Sequence, residues 1–430
     1  MRRILKNAQV RAKCHIITML EKQAKDRHIS LHTPGHKNPK FDITELCYSD
    51  NLSSPKGVIK RAQDDITKLL GSHQSFIVTD GSTCGVLSML FAAKTLGAKC
   101  VLAREDSHKS LYNGCALLGL ELLLLPTQAN QDIPLPFTIT ELENHPDLAQ
   151  NADVIFLTSP DYFGNIADLK AIRDYCDIHK KLLVVDGAHG GHLHFDSELY
   201  AGAYADFWVD GVHKSLPAFT QGAVVSAKTQ EQAKALALAV DTFRTTSPSY
   251  PIMASVEYAV KYPENKTLID FVNEWKKHER VYKNSDWTKL CLLFGDNAFE
   301  AEKYLQSKGV FAEFCDGNVI CLYLSPATSL RNLKKVQRLV NKAFARFPYN
   351  AKQTVERIPV PVVSQKTQVE WVDISNSENR ILAANVGLFP PCIPLKKQGE
   401  IMDKQSIERL QKSGNVFGVQ NGKIAVYQNH

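Results

Sequence analysis

Six short apolar runs, most of them followed by a helix-like stretch, constrain this chain more than any other feature. They are Phe76–Thr79, Cys100–Ala103, Leu120–Leu125, Val154–Thr158, Leu182–Asp186 and Ala205–Val209. A strand that is apolar on both faces has to lie between two covering layers. Helix-like segments fall at Val58–Leu70, Val86–Leu96, a stretch ending at Leu118, and Leu169–His179. The expected fold class is therefore α/β, a mostly parallel sheet with helices on both sides. Ligands of such sheets sit beyond the carboxyl ends of the strands. Ser82, His108, Ser159, Asp186 and Lys214 all stand just after a strand-like run.

A chain of 430 residues is long for one core. The pattern suggests an N-terminal helical segment over 1–40, a large domain over 41–285 and a smaller α+β domain over 286–430. Residues 5–26 read as a surface or dimer-packing helix. In the C-terminal part, Val310–Phe314 and Val319–Leu324 read as paired strands, and Leu333, Val336, Leu339, Val340, Ala343 and Phe344 as one face of a helix. A helix and a strand close the chain. The net charge of +6 is small and dispersed, which gives nucleic-acid binding little support. Apolar runs such as Leu117–Pro126 are too short to span a bilayer, and the N-terminus lacks a signal-peptide pattern. The ten cysteines have no regular spacing and form no C-x-x-C, as expected of free thiols in a reducing cytoplasm rather than a disulfide framework or structural zinc.

Lys214 ends the run Phe207-Trp208-Val209-Asp210-Gly211-Val212-His213-Lys214. It reads either as an ordinary loop lysine or as a desolvated amine able to form a Schiff base. Asp186 ends a fully apolar strand, where a carboxylate is costly unless it meets a cation. A protonated pyridine nitrogen would be such a cation, and pyridoxal phosphate (PLP) sites combine an acidic partner with a Schiff-base lysine. Gly81-Ser82-Thr83 lies in a turn ahead of the Val86–Leu96 helix and could surround a phosphate, or could simply cap that helix. His108 supplies a planar side chain after the neighbouring strand. A competing reading takes Asp186, His189, His192 and His194 as the ligands of a divalent metal in a hydrolase. It leaves Lys214, His108 and the Ser82 loop unexplained.

The chain resembles the Orn/Lys/Arg decarboxylase family, major class, of PLP fold type I. The segments that carry the resemblance are LHTPGHK (31–37), DITEL (42–46), GVI (57–59), DGSTCG (80–85), SHKS (107–110), SPDYFG (159–164), VVDGAHGGH (184–192), VHKSLPAFTQGA (212–223), TTSPSY (245–250) and FPPCIPLKKQGE (389–400). The resemblance implies an aspartate-aminotransferase-like large domain, a smaller C-terminal domain, and no N-terminal wing domain. It implies PLP-dependent decarboxylation of lysine, ornithine or arginine to the amine and CO2, in polyamine metabolism, by a cytoplasmic homodimer with its sites at the interface.

Residue by residue, it implies that Lys214 forms the Schiff base, Asp186 pairs with the ring nitrogen and His108 stacks on the ring. Gly81, Ser82 and Thr83 would hold the phosphate, Ala188 would pack under the ring, and His213 would lie beside the phosphate and the reacting carbon. His189 completes the family's Asp-x-Ala-His signature, and Thr246 or Ser247 would reach the neighbouring subunit's cofactor. The substrate amine would displace Lys214, CO2 would leave, and Cα would be protonated by His213 or Lys214. Glu400 and residues around Arg380 are candidates for the distal amine or guanidinium.

Some positions depart from the family pattern. Gly211 stands where a phosphate-binding serine is common, Gly187 replaces a glutamate, Asp80 an asparagine and Cys392 a glycine. A lost hydroxyl is worth about 1–2 kcal/mol, so weaker PLP binding, restored by Gly211→Ser, is the expectation. A PLP-binding paralogue with altered or lost activity is the alternative.

Overall fold

The computed structural model describes residues 5–26, 29–40, 42–130, 133–350, 369–389, 392–413 and 415–428. Of the motifs above, the pair Pro390–Pro391 lies outside them, as do residues 1–4 and 27–28 of the 1–40 segment, residue 41 of the expected large domain and residues 351–368 of the expected smaller domain. The chain divides into two compact units, Met1–Glu105 with Asn113–Asn350, and Asp106–Tyr112 with Ala351–His430.

The first unit is built on a seven-stranded sheet. Its strands are β1 (Gln74–Val78), β2 (Cys100–Arg104), β3 (Glu121–Leu125), β4 (Val154–Thr158), β5 (Leu182–Gly187), β6 (Phe207–Asp210) and β7 (Ala223–Ala227). Their order is β1-β7-β6-β5-β4-β2-β3, and only β7 runs against its neighbours. The helices that position the site are α1 (Ala8–Ala12), α2 (His15–Gln23), α3 (Val58–Leu70), α4 (Gly81–Thr95), α5 (Leu169–Ile178), the single turn α6 (Val212–Ser215), α7 (Gln230–Phe243) and α8 (Tyr250–Val260).

Side chains alternate across each strand, so the two faces can be told apart residue by residue. Ile77, Leu157, Val185, Trp208 and Val224 share one core with Ile16, Ile17, Ile59, Ile66, Ile172, Met253 and Val256, the apolar faces of α2, α3, α5 and α8. The opposite face meets α4. A Cβ on Gly85 would stand 2.4 Å from Val209 Cγ2, so a side chain there would push the helix off the sheet.

This close approach also corrects the expected helix start. The helix begins at Gly81, which takes φ +77°, rather than at Val86, because the small residues 81–85 let its first turn lie directly on β6. The expected helix over residues 5–26 is instead the pair α1 and α2, separated near Lys13.

The first unit also holds a three-stranded antiparallel sheet, β8 (Lys289–Leu293), β9 (Phe314–Cys315) and β10 (Val319–Tyr323), in the order β8-β10-β9. It packs with α9 (Leu330–Arg346) around Leu290, Leu292, Phe294, Ile320, Leu322, Leu333 and Val340. The strand expected over Val310–Phe314 is only Phe314–Cys315. The Val310 N–H instead closes the preceding helix on the Leu305 carbonyl at 3.0 Å, and Gly309 takes φ +77°.

In the second unit, β11 (Val369–Asp373), β12 (Val386–Leu388), β13 (Pro394–Lys396), β14 (Val416–Phe417), β15 (Val419–Gln420) and β16 (Lys423–Tyr427) form two three-stranded sheets. These are ordered β11-β16-β15 and β13-β12-β14, and α10 (Lys404–Lys412) packs with Ile374, Leu382, Met402 and Val426.

Candidate active site

The carboxyl ends of β5 and β6 meet the start of α4. β5 carries Val184 and Asp186 on one side and Leu183 and Val185 on the other, so Asp186 lies on the face that α4 covers. Asp186 is buried, and its Oδ1 accepts the Ala188 N–H at 3.1 Å. Among the described residues no cation stands at ion-pair distance from it. Burial pushes its carboxyl pKa up, against the opposing pull of the Lys214 charge and the Ala188 N–H.

After Asp186 the chain turns through Gly187-Ala188-His189-Gly190-Gly191. These small residues are needed because the turn is squeezed. A Cβ on Gly190 would come within 2.8 Å of Pro160, and one on Gly187 would stand 3.0 Å from the Val209 carbonyl oxygen. The His192 N–H donates to Ser215 Oγ at 3.3 Å, tying this loop to α6. Strand β6 leads through Gly211 into α6, which carries His213 and Lys214.

Lys214 Nζ lies 3.1 Å from His189 Nε2. His189 Nδ1 lies 3.0 Å from the Tyr323 hydroxyl, and the Tyr162 ring packs edge-on against His189 with centroids 5.0 Å apart. His213 Nδ1 stands 2.9 Å from the Gly222 carbonyl, which can only accept, so that nitrogen carries the proton. Burial lowers the His213 pKa, helped by the nearby Lys214 charge and opposed by the bond to Gly222. The ring is thus held neutral with its Nε2 lone pair available.

Ser82 is buried at the first turn of α4 while Thr83 is exposed, and the cap residue Asp80 makes no side-chain bond to that turn. A first helical turn without a side-chain cap leaves N–H groups for an anion. Asp80 Oδ2 instead accepts the Thr245 N–H at 3.4 Å. At Gly211 an added Cβ would lie 2.5 Å from the Ala188 carbonyl oxygen and 3.0 Å from Ser82 Oγ. Gly211, Ala188 and Ser82 therefore close around one small space. This corrects the expectation that serine at 211 would restore cofactor grip, because its Cβ would first have to displace a backbone carbonyl.

One compact unit thus brings together Gly81, Ser82, Thr83, Asp186, Ala188, His189, His213 and Lys214. His108 belongs to the other, in the segment 106–112. There its Nδ1 meets Ser110 Oγ at 2.8 Å, and the Lys109 N–H donates to the Cys392 carbonyl at 3.1 Å.

The metal reading fails on geometry. His192 Nε2 is 2.9 Å from Asp286, His194 Nδ1 is 2.8 Å from the Gly191 carbonyl and His189 Nε2 faces Lys214. Among the described residues, the ligand atoms of Asp186, His189, His192 and His194 do not gather at metal-binding spacing. Tyr323, Tyr162, Asp286 and Lys289 were not anticipated. Their contacts span more than a hundred residues in several cases, and the one local sign was a tyrosine ending the apolar run Val319–Tyr323.

A profile of the Orn/Lys/Arg decarboxylase major domain matches residues 37–285. The chain belongs to this family. It is 27% identical to an uncharacterised protein of Bacillus subtilis, over 89% of this chain and 90% of that protein. It is 26% identical to the arginine decarboxylase of Bacillus anthracis, over 93% of this chain and 92% of the relative. Among solved structures it resembles the constitutive lysine decarboxylase of Escherichia coli, with a TM-score of 0.70 and 17% identity, covering 96% of this chain and 82% of that one.

As a family member the chain is an enzyme of the carbon–carbon lyase class with PLP fold type I architecture and PLP as its cofactor. The residues present suit that group. A buried carboxylate with no cation at ion-pair distance among the described residues, an amine just past a strand end and a helix start without a side-chain cap would supply partners for its pyridinium, aldehyde and phosphate. No helix among the described residues is long and apolar enough to cross a membrane.

Proposed function

We propose that the chain decarboxylates a basic amino acid, releasing CO2 and the corresponding amine. Arginine is the first candidate substrate, then lysine and ornithine, because Bacillus relatives aligned over nine-tenths of the chain bear the name arginine decarboxylase. The observation that carries the reading is Asp186, a buried carboxylate with a raised pKa and, among the described residues, no cation at ion-pair distance, on the same strand-end platform as Lys214.

Bound PLP supplies an electron sink for the pair left when CO2 departs. Asp186 offers its negative charge to the ring nitrogen and keeps that nitrogen protonated. Lys214 would provide the amine that holds the cofactor. Gly81, Ser82 and Thr83, with the α4 N-terminus, would hold the phosphate, and Ala188 would pack against the ring. In the family resemblance, His108 would be the residue that stacks on the ring. His213, its Nδ1 proton held by Gly222, carries a lone pair at Nε2 and would return a proton to the substrate Cα only after taking one up at that nitrogen from solvent; the Lys214 ammonium is the other donor. The same reading takes residues 41–285 as the cofactor-holding domain and 286–430 as the smaller one. It places the enzyme in the cytoplasm as a homodimer with Thr246 or Ser247 at the neighbouring site, its amine products feeding polyamine metabolism.

The test has two arms. Borohydride treatment of the protein loaded with PLP should add the cofactor's mass to the peptide containing Lys214. CO2 release is then measured on arginine, lysine and ornithine, and one of them should be turned over well above the others. Fixation without release from any of the three would identify a PLP-binding paralogue instead, and absence of fixation would sink the reading.

A further inference from the structure

We propose that Tyr323 is a positioning residue that sets the tautomer of His189, so that the lone pair of Nε2 faces Lys214. The argument is one of counting protons. The Tyr323 hydroxyl lies 3.1 Å from the Tyr162 carbonyl oxygen and 3.0 Å from His189 Nδ1. A phenol has one proton to give, and a carbonyl can only accept. With that proton on the Tyr162 carbonyl, the Tyr323 oxygen accepts, and His189 Nδ1 must be the donor. A neutral imidazole protonated at Nδ1 carries its lone pair at Nε2, which stands 3.1 Å from Lys214 Nζ.

The surroundings hold the phenol in this role. Tyr323 ends β10, and burial pushes its pKa well above the ordinary tyrosine value, so its proton stays on. The Lys289 ammonium sits 4.4 Å from the centre of its ring and is itself held by Asp286 Oδ2 at 2.9 Å. Tyr162, whose carbonyl takes the Tyr323 proton, is anchored by its own hydroxyl, which donates to Glu313 Oε1 at 3.2 Å.

His189 then serves as the proton acceptor for Lys214. A proton passing from the Lys214 ammonium to Nε2 leaves a neutral, nucleophilic amine. It also leaves an imidazolium with both N–H groups occupied, one toward Nζ and one toward the Tyr323 oxygen. The use of this relay in turnover rests on the function proposed above; the tautomer itself does not.

The experiment separates the two. Apoprotein labelled with ¹⁵N-histidine is compared with the Tyr323→Phe variant, using two-bond ¹H–¹⁵N correlations and assigning His189 by its loss in His189→Asn. The Nδ1–H form should dominate in the native apoprotein, and Tyr323→Phe should shift the population toward Nε2–H. Where CO2 release has been found, the same variant saturated with PLP should lose on the order of tenfold in kcat, the effect of one hydrogen bond, with KM little changed. A native spectrum dominated by the Nε2–H form would overturn the proposal, and so would an unchanged His189 tautomer in Tyr323→Phe. Because the tautomer is read without cofactor or substrate, failure to decarboxylate would leave it standing.

Discussion

Asp286 and Asp186 lie buried in the same compact unit, and their surroundings differ in kind. Asp286 is met by His192 Nε2 at 2.9 Å, Lys289 Nζ at 2.9 Å, the Thr288 N–H at 2.8 Å and the Thr288 hydroxyl at 2.7 Å. Burial would raise its pKa, but His192, Lys289 and the hydrogen bonds more than reverse that and hold it well below the usual carboxylate range. Asp186 accepts one backbone N–H and has no cation at bonding distance among the described residues, so burial wins and its pKa rises. A third acid, Asp210, sits on the sheet face opposite Asp186. It takes the Tyr200 hydroxyl at 2.6 Å, while its Oδ1 is buried with no hydrogen-bond partner, and burial lifts it to about 7. A satisfied buried carboxylate fastens a fold. One left short of positive charge is held toward its neutral form by burial, and of the two such acids Asp186 is the one beside Lys214 and the start of α4.

The largest expected effect breaks the site while sparing the Asp286 cluster. Lys214→Ala should abolish both CO2 release and borohydride fixation of PLP, with thermal unfolding of the apoprotein little altered. Asparagine at the two acids should then give opposite signs. Asp286→Asn strands His192 and Lys289 and should destabilise by about 3–5 kcal/mol in urea unfolding. Asp186→Asn removes an acid that burial already disfavours, so the apoprotein should be at least as stable as native at pH 8. Turnover should nevertheless fall by roughly 10²–10⁴-fold, the worth of one broken buried pair. Equal destabilisation by both would erase the distinction.

Next in size is the pH dependence of stability. The Asp210 pKa is raised in the folded state, so its contribution is fully present below the unfolded value of 3.8 and is lost as pH rises to about 7. That shift corresponds to an upper bound of about 4 kcal/mol. Asp210→Asn, which keeps an acceptor for Tyr200, should flatten the change in unfolding free energy between pH 4 and pH 8. Asp286, with a lowered pKa, stabilises above its unfolded value and loses that only in strong acid, so it adds no slope in this range.

The smallest effect is expected at Gly211. Gly211→Ser should cost about 1–3 kcal/mol through overpacking against the Ala188 carbonyl and should weaken PLP retention rather than strengthen it. Gly211→Ala should do the same, which separates the steric effect from the hydroxyl. Tighter PLP binding by the serine variant, measured by equilibrium titration, would show that the Ala188 peptide can move.

Much of this was legible in the linear chain. The runs over β1 to β6 are continuous in apolar residues because both faces of those strands are covered, and that property is written locally. Asp186 and Lys214 could be singled out because a charged residue at the end of such a run is costly and therefore conspicuous, whereas His213 drew its role from the family resemblance. Boundaries were less legible where close packing decided them, as with the start of α4 on β6, or where a helix end consumed backbone donors, as at Val310. The space at Gly211 was misjudged because sequence shows a missing hydroxyl but not the carbonyl 2.5 Å from where its Cβ would be.

By itself, then, the sequence determined the α/β class and set Ser82, Asp186 and Lys214 at the ends of strand-like runs, since both rest on local patterns of burial and charge; the PLP roles came from the family resemblance. Only the tertiary structure decided which buried groups meet. It gave His192 to Asp286 instead of to a metal, set Tyr323 against His189 across 134 residues of chain, and left Asp186 without a cation. Those outcomes depend on distances between segments far apart in the chain, and the electrostatics of a buried group is fixed by its nearest few ångströms rather than by its neighbours in sequence.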